Sequence, residues 1–278
     1  MKKYLFLTLI CSIFTLYTTA QSTQELSRKI SALSIKIDAA IQSGNPDVYE
    51  TLIPELNHNL IDNLIVLAAR SPDFMQKDYL TTGEESNSKK NKFVFINNSK
   101  DQKFKLVSWS DGGGTIGSYQ YVAFWKTGNK IKHKVSTEGD PFLDPGDDVA
   151  DIYHSRRTNG NDLYFCITEA GERNNYGMDI QCFEIDKSGN LKANIPVFKA
   201  GAKSLSRISI KNYNDYKYSN VSGQKSNVIH FSADGNTLYV PIISSDWAKS
   251  GDDEKATYVL HYFIYQFDGT NFVYKKKE

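Results

Sequence analysis

The chain has 278 residues, with 33 basic and 32 acidic side chains, five histidines and 13% aromatic residues. A net charge of +1 gives no long-range field to draw in a polyanion or an acidic membrane, which sets nucleic-acid binding at the bottom of the function classes. The 17 tyrosines and 15 phenylalanines favour sheet, because aromatic and β-branched side chains suit a pleated, half-buried surface.

Met1-Lys2-Lys3 supplies a short positive start, the run Tyr4 to Tyr17 is uncharged, and Thr18-Thr19-Ala20 places small side chains where a signal peptidase cuts. The expectation is a signal peptide over residues 1–20 and a mature chain starting at Gln21. The apolar run is shorter than the roughly 20 residues a membrane helix needs, which argues against a retained anchor. Cys11 follows Leu9-Ile10 rather than small residues, so it does not read as a lipid-attachment site. No later stretch reaches spanning length. The mature chain is therefore expected to be soluble, without a transmembrane segment, and periplasmic or secreted. Cleavage removes Lys2 and Lys3, leaving 31 basic against 32 acidic residues and a net charge of −1. Lys275-Lys276-Lys277 ends in Glu278 and reads as a solvated tail.

Residues 21–80 read as a helical segment. Ser22-Thr23-Gln24-Glu25 fits a capping box, and Leu26, Ile30, Leu33, Ile37, Ala40 and Ile41 follow at helical spacing. Gly44 ends that run, and Asn45-Pro46 restarts a helix with a cap and a proline in its first turn. Val48, Leu52, Leu56, Leu60, Ile61, Leu64, Leu67 and Ala68 continue the stripe until Ser71-Pro72, with Pro54 expected to break or kink it. Such stripes serve either a partner or the body of the same protein, and packing on the body is the expectation.

Residues 81–92 are polar and unpatterned, a linker or loop and the expected boundary. From residue 93 to 278 short apolar runs alternate with Gly, Asn and Asp, and the pattern repeats three times. The first repeat spans Phe93 to Val135, the second Ile152 to Val197, the third Val228 to Tyr274. Each reads as strand, tight turn, strand, longer loop, strand, tight turn, strand. The Asn-Gly and Asp-Gly turns supply the positive φ of a short reversal. Phe231-Ser232-Ala233-Asp234-Gly235-Asn236-Thr237-Leu238-Tyr239-Val240 resembles a turn common in propeller repeats. Closed propellers take about 4–8 blades and three are found here, so the expectation is a mainly-β body of antiparallel four-stranded meanders, propeller-like but not a closed propeller. Ile208–Tyr213 is one more strand candidate.

Cys166 and Cys182 lie eight residues either side of Asn174, which sets them opposite each other in a hairpin and makes them the disulfide candidates; two buried thiols are the competing account. Asp140, Asp144, Asp147 and Asp148, with Asp151, crowd one loop and are the candidate metal ligands, calcium being the ion that takes carboxylates on a flexible loop. The spacing matches no established calcium loop, and solvated acids in a turn-rich connection explain it equally; no other cofactor is expected. Ser110-Asp111-Gly112-Gly113-Gly114-Thr115 has no phosphate-loop lysine and sits between strands, so it reads as a hairpin loop. Trp109 and Asp111 beside it, with Tyr213 and Tyr216, are the candidate ligand-contacting residues. His58, His133, His154, His230 and His261 stand in no metal spacing, and no serine occupies a nucleophile elbow, so no catalytic residue is assigned.

Asp101-Gln102-Lys103-Phe104-Lys105-Leu106-Val107-Ser108-Trp109, followed by Gly113-Gly114-Thr115, resembles a group of exported bacterial β-rich proteins in which a D-G-K-F-R-I-Y-S-W-D strand precedes a G-G-T loop. Gly139-Asp140-Pro141 and Tyr265-Gln266-Phe267-Asp268-Gly269-Thr270-Asn271-Phe272 are similar to that group too. Gln102 stands where the group has glycine and Ser110 where it has aspartate. The resemblance implies export and a β body, and it carries no activity. The expectation is thus a non-enzymatic envelope or secreted protein whose loops meet a glycan, a peptide or another envelope protein. The alternative is a hydrolase acting on a cell-envelope polymer.

Overall fold

The computed structural model describes residues 23–45, 47–78, 94–110, 119–136, 147–172, 175–210, 228–246 and 257–278. The described residues are mostly β, with 15 strands among them and two helices towards the N-terminus. The chain divides into two compact units. The first takes the described residues of Met1–Ile96 and Lys105–Val135, and the second those of Asn97–Phe104 and Ser136–Glu278. The first meander therefore belongs with the helices, and residues 81–92 lie outside the described residues.

In the first unit, helix α1 covers residues 23–42. Asn45 then accepts from the Asp47 amide through Oδ1 at 3.0 Å, as its capping role requires. The interruption expected at Pro54 falls here. A π turn over Val48–Leu52 hands over to α2 (Ile53–Arg70), and Pro54 sits in the first turn of α2, where its missing N–H is not needed. Strands β1 (Val94–Asn98), β2 (Phe104–Ser110), β3 (Tyr119–Thr127) and β4 (Lys130–Val135) form a sheet in that order. The stripe of Ile30, Leu33, Ile37, Leu56, Leu60, Leu64 and Leu67 packs on Val107, Trp109, Val122 and Phe124 of this sheet. The stripes are thus covered by the unit's own strands. Edge strand β4 carries Lys130, Lys132 and Lys134, which discourages edge-to-edge pairing.

The second unit holds two sheets around one core. Strands β5 (Asp147–Arg156), β6 (Asp162–Glu172) and β7 (Asn175–Ile185) form a meander. The far edge of β7 is covered in two pieces, by β8 (Leu191–Lys192) at Glu184 and Ile185 and by β11 (Arg207–Ile210) at Met178–Gln181. Between those pieces the chain contributes β9 (Phe198–Ala200) and β10 (Lys203–Leu205) to the other sheet. That six-stranded sheet runs β10-β9-β15-β14-β13-β12, with β12 (His230–Phe231), β13 (Thr237–Asp246), β14 (Thr257–Phe267) and β15 (Phe272–Lys277). Every repeat in the sequence is therefore the backbone of one sheet, and among the described residues no closed propeller or barrel forms.

Phe165 faces Phe231 and Phe272, with ring centroids 5.3 and 5.2 Å away, and Phe198 lies 5.9 Å from it. All four rings are buried in the core between the two sheets, along with Leu163, Ile180, Leu238 and Val240. Removing one such ring typically costs about 3–5 kcal/mol.

Candidate functional site

The two cysteines, the disulfide candidates, do not meet across the ladder, and the competing account of two buried thiols holds. The β6–β7 ladder closes on Glu172↔Asn175, half a residue away from the centre inferred at Asn174. Cys166 consequently pairs with Gln181 and Cys182 with Phe165. Neighbouring strand positions point to opposite faces, so the thiols are separated by the sheet, and both are free and fully buried. Burial pushes both thiols well above the ordinary cysteine range, so neither is a reactive thiolate.

Trp109 is 1% exposed and donates from Nε1 to Asn57 Oδ1 at 2.9 Å, so it is a core residue rather than a ligand contact. Asp147 and Asp148 lie on β5 opposite Ala170 and Glu169, in a strand rather than the loop expected of them. Asp140, Asp144, Asp111, Tyr213 and Tyr216 lie outside the described residues. Among the described residues no group of three or more His, Cys, Asp or Glu side chains is placed to hold a metal ion.

The second unit does bring together one set of ionisable groups that sequence reading passed over. Cross-strand register places His154 opposite Tyr164 and Arg156 opposite Asp162. All four therefore share the face of the β5–β6 pair turned away from the phenylalanine core. His154 stacks on the Tyr164 ring at 5.0 Å. Its Nε2 lies 3.0 Å from Asp162 Oδ1 and 3.6 Å from Asp101 Oδ2. Tyr164 donates its hydroxyl proton to Asp101 Oδ2 at 2.9 Å, and Arg156 Nε stands 3.7 Å from Asp162 Oδ1. Burial, then the Asp101 charge, push the Tyr164 hydroxyl far above the ordinary tyrosine range, so the tyrosine keeps its proton.

Asp101 arrives on a turn, and that turn has a twin. In Ser99–Phe104 the Ser99 hydroxyl donates to Asp101 Oδ1 at 2.6 Å and accepts from the Phe104 amide at 3.0 Å, while the Lys103 amide reaches Asp101 Oδ1 at 3.2 Å. In Ser232–Thr237 the Ser232 hydroxyl donates to Asp234 Oδ1 at 2.5 Å and accepts from the Thr237 amide at 2.9 Å, while the Asn236 amide reaches Asp234 Oδ1 at 3.1 Å. The bond patterns coincide, and two differences remain. Gly235 occupies the left-handed position at φ +71° in one turn, whereas Gln102 occupies it at φ +57° in the other. Asp234 gives its second oxygen to the Asn236 side chain in its own turn, whereas Asp101 gives its second oxygen to Tyr164 and His154. A non-glycine residue held at positive φ thus sits beside the aspartate that reaches out of its turn.

The cluster was within reach of the sequence. Counting outward from Asn159 pairs His154 with Tyr164, and Ser99-Lys100-Asp101 repeats the spacing of Ser232-Ala233-Asp234. No family model, curated protein or solved structure matches this chain.

Proposed function

We propose that this is an exported protein of the envelope or exterior that binds a glycan, a peptide or another envelope protein and performs no chemistry on it. The observation that carries this reading is the direction of the hydrogen bonds around His154. A nucleophilic triad needs the imidazole to take a proton from a hydroxyl or thiol. Here the Ser99 and Tyr164 hydroxyls donate to Asp101 instead. Nε2 of His154 lies 3.0 Å from Asp162 Oδ1 and 3.6 Å from Asp101 Oδ2, and neither of these neighbours is a hydroxyl or thiol nucleophile. The groups hold one another, as in a network that fixes a surface rather than one that turns over. Export rests on Lys2-Lys3, the uncharged run after them and Thr18-Thr19-Ala20.

One observation favours a hydrolase as the second reading: Asp101 and Asp162 both reach the same imidazole nitrogen, and paired carboxylates are the groups that cleave glycosidic bonds. Incubating the mature protein with purified peptidoglycan and analysing pellet and supernatant by mass spectrometry separates the two. Binding without soluble fragments is expected. Release of fragments that disappears with His154→Ala overturns the binding reading in favour of the hydrolase.

A further inference from the structure

We propose that Lys105 makes residues 71–78 of the first unit a proton-loaded strap, one that lifts off β2 more readily while the Lys105 amine is charged than once it is neutral. Lys105 is 1% exposed although it is a lysine. Its Nζ donates to the Phe74 and Lys77 carbonyls, the latter at 2.8 Å, and stands 4.4 Å from the centroid of the Phe74 ring. These partners belong to one short segment that follows α2. The charged groups acting on the amine, Asp78 and Asp73, belong to that segment too. Asp73 also holds Lys77 at 2.6 Å.

The strap is bonded locally along its backbone. The Ser71 amide donates to Leu67, Phe74 to Ser71, and Gln76 and Lys77 to Asp73. By contrast β2 lies inside its sheet, between β1 and β3. Phe74 and Met75 are buried in the apolar core, so the lifted form is a minor population at every pH.

The sign follows from hydration. Burial lowers the amine to about 8, with Asp78 and Asp73 pulling in the opposite direction. In the lifted form the amine meets water and returns to the ordinary lysine value of roughly 10.4. The lifted form therefore binds the proton more tightly, and raising the pH through this window closes the strap, by up to about ten-fold per pH unit.

The test is hydrogen exchange of the Phe74, Gln76 and Lys77 amides in the full chain from pH 6.5 to 10, corrected for intrinsic rate, where reclosing outruns exchange. Protection is expected to stay level at neutral pH and then to climb above about pH 8 towards ten-fold per unit. Lys105→Arg, whose side chain stays charged throughout, is expected to lose the climb. If Lys105→Arg does not fold, Lys105→Met, which carries no proton, serves in its place with the same expectation. Level protection in the unaltered protein, a climb that survives either substitution, or the same climb in the β6 and β7 amides overturns the proposal.

Discussion

Tyr164 donates its hydroxyl to Asp101 across 63 positions of sequence, and that 2.9 Å bond joins a strand of the five-stranded sheet to the turn before β2. Asp101 keeps the Ser99 and Lys103 donors on its other oxygen when this bond is removed. Tyr164→Phe is therefore expected to lower stability by about 1–2 kcal/mol, the range for a hydrogen bond to a charged group, without unfolding the protein. Urea unfolding with an unchanged slope is the check, and no change in midpoint would refute it.

The twin turns make a paired experiment. Gln102→Gly removes the cost of a side chain at φ +57° but frees the unfolded chain, so a net gain of about 0.5 kcal/mol is expected. Gly235→Ala places a side chain at φ +71°, where its Cβ meets only ordinary contacts with His154 and Ser155, and is expected to cost about 1 kcal/mol. Thermal unfolding midpoints moving in the same direction for both would contradict this account of the turns.

Arg157 forms an ion pair with Glu184 and donates from Nε to the Thr270 carbonyl at 2.9 Å, while the Thr158 amide donates to Gly269 at 2.8 Å. The β5–β6 turn is thereby fastened to the β14–β15 turn. Arg157→Leu leaves Glu184 buried without its partner and is expected to cost about 3 kcal/mol. Adding Glu184→Leu is expected to restore most of that loss in a double-mutant cycle.

Asp186, Asp234 and Asp268 each sit in a reversal and are held below the ordinary aspartate value. The leading causes are the Asn190 amide, the Ser232 hydroxyl and the Asn271 amide respectively. A depressed carboxyl stabilises the fold above its unfolded value and loses that contribution as pH falls through its folded one. Stability is thus expected to fall as the pH drops below about 4. Asp234→Asn and Asp268→Asn should flatten that fall in urea midpoints collected from pH 2.5 to 6. A fall of undiminished steepness would remove the turn aspartates from the account.

The free thiols give a direct count. In protein lacking residues 1–20, a thiol reagent is expected to leave the native chain unmodified and to label two cysteines after denaturation without reductant, Cys166 and Cys182. A single label, or none, in the denatured protein would mean the thiols are oxidised.

The strand layout was legible because turn chemistry is local. Asn-Gly and Asp-Gly reversals marked the hairpins, and each of the three repeats became the backbone of one sheet. What escaped was register. Asn174 as the centre of the β6–β7 reversal was off by half a residue, and with a period of two that error exchanged the sheet faces of Cys166 and Cys182. The site escaped for a related reason. The pairing of His154 with Tyr164 can be counted outward from Asn159, but Asp101 meets them across 53 and 63 residues, and that link leaves no spacing in one dimension. Strands β9 and β10 were unreadable too, because three-residue strands take their identity from the neighbour they pair with rather than from their own composition.

Strand β15 lies inside its sheet, parallel to β9 on one flank and antiparallel to β14 on the other, although every other strand of that sheet precedes it in sequence. A nascent chain that has not yet passed residue 277 lacks the piece joining β9 to β14, so the six-stranded sheet cannot be completed before that point. That order also means that a premature stop before Phe272 releases a product with two bare strand flanks, the surfaces on which chains clump.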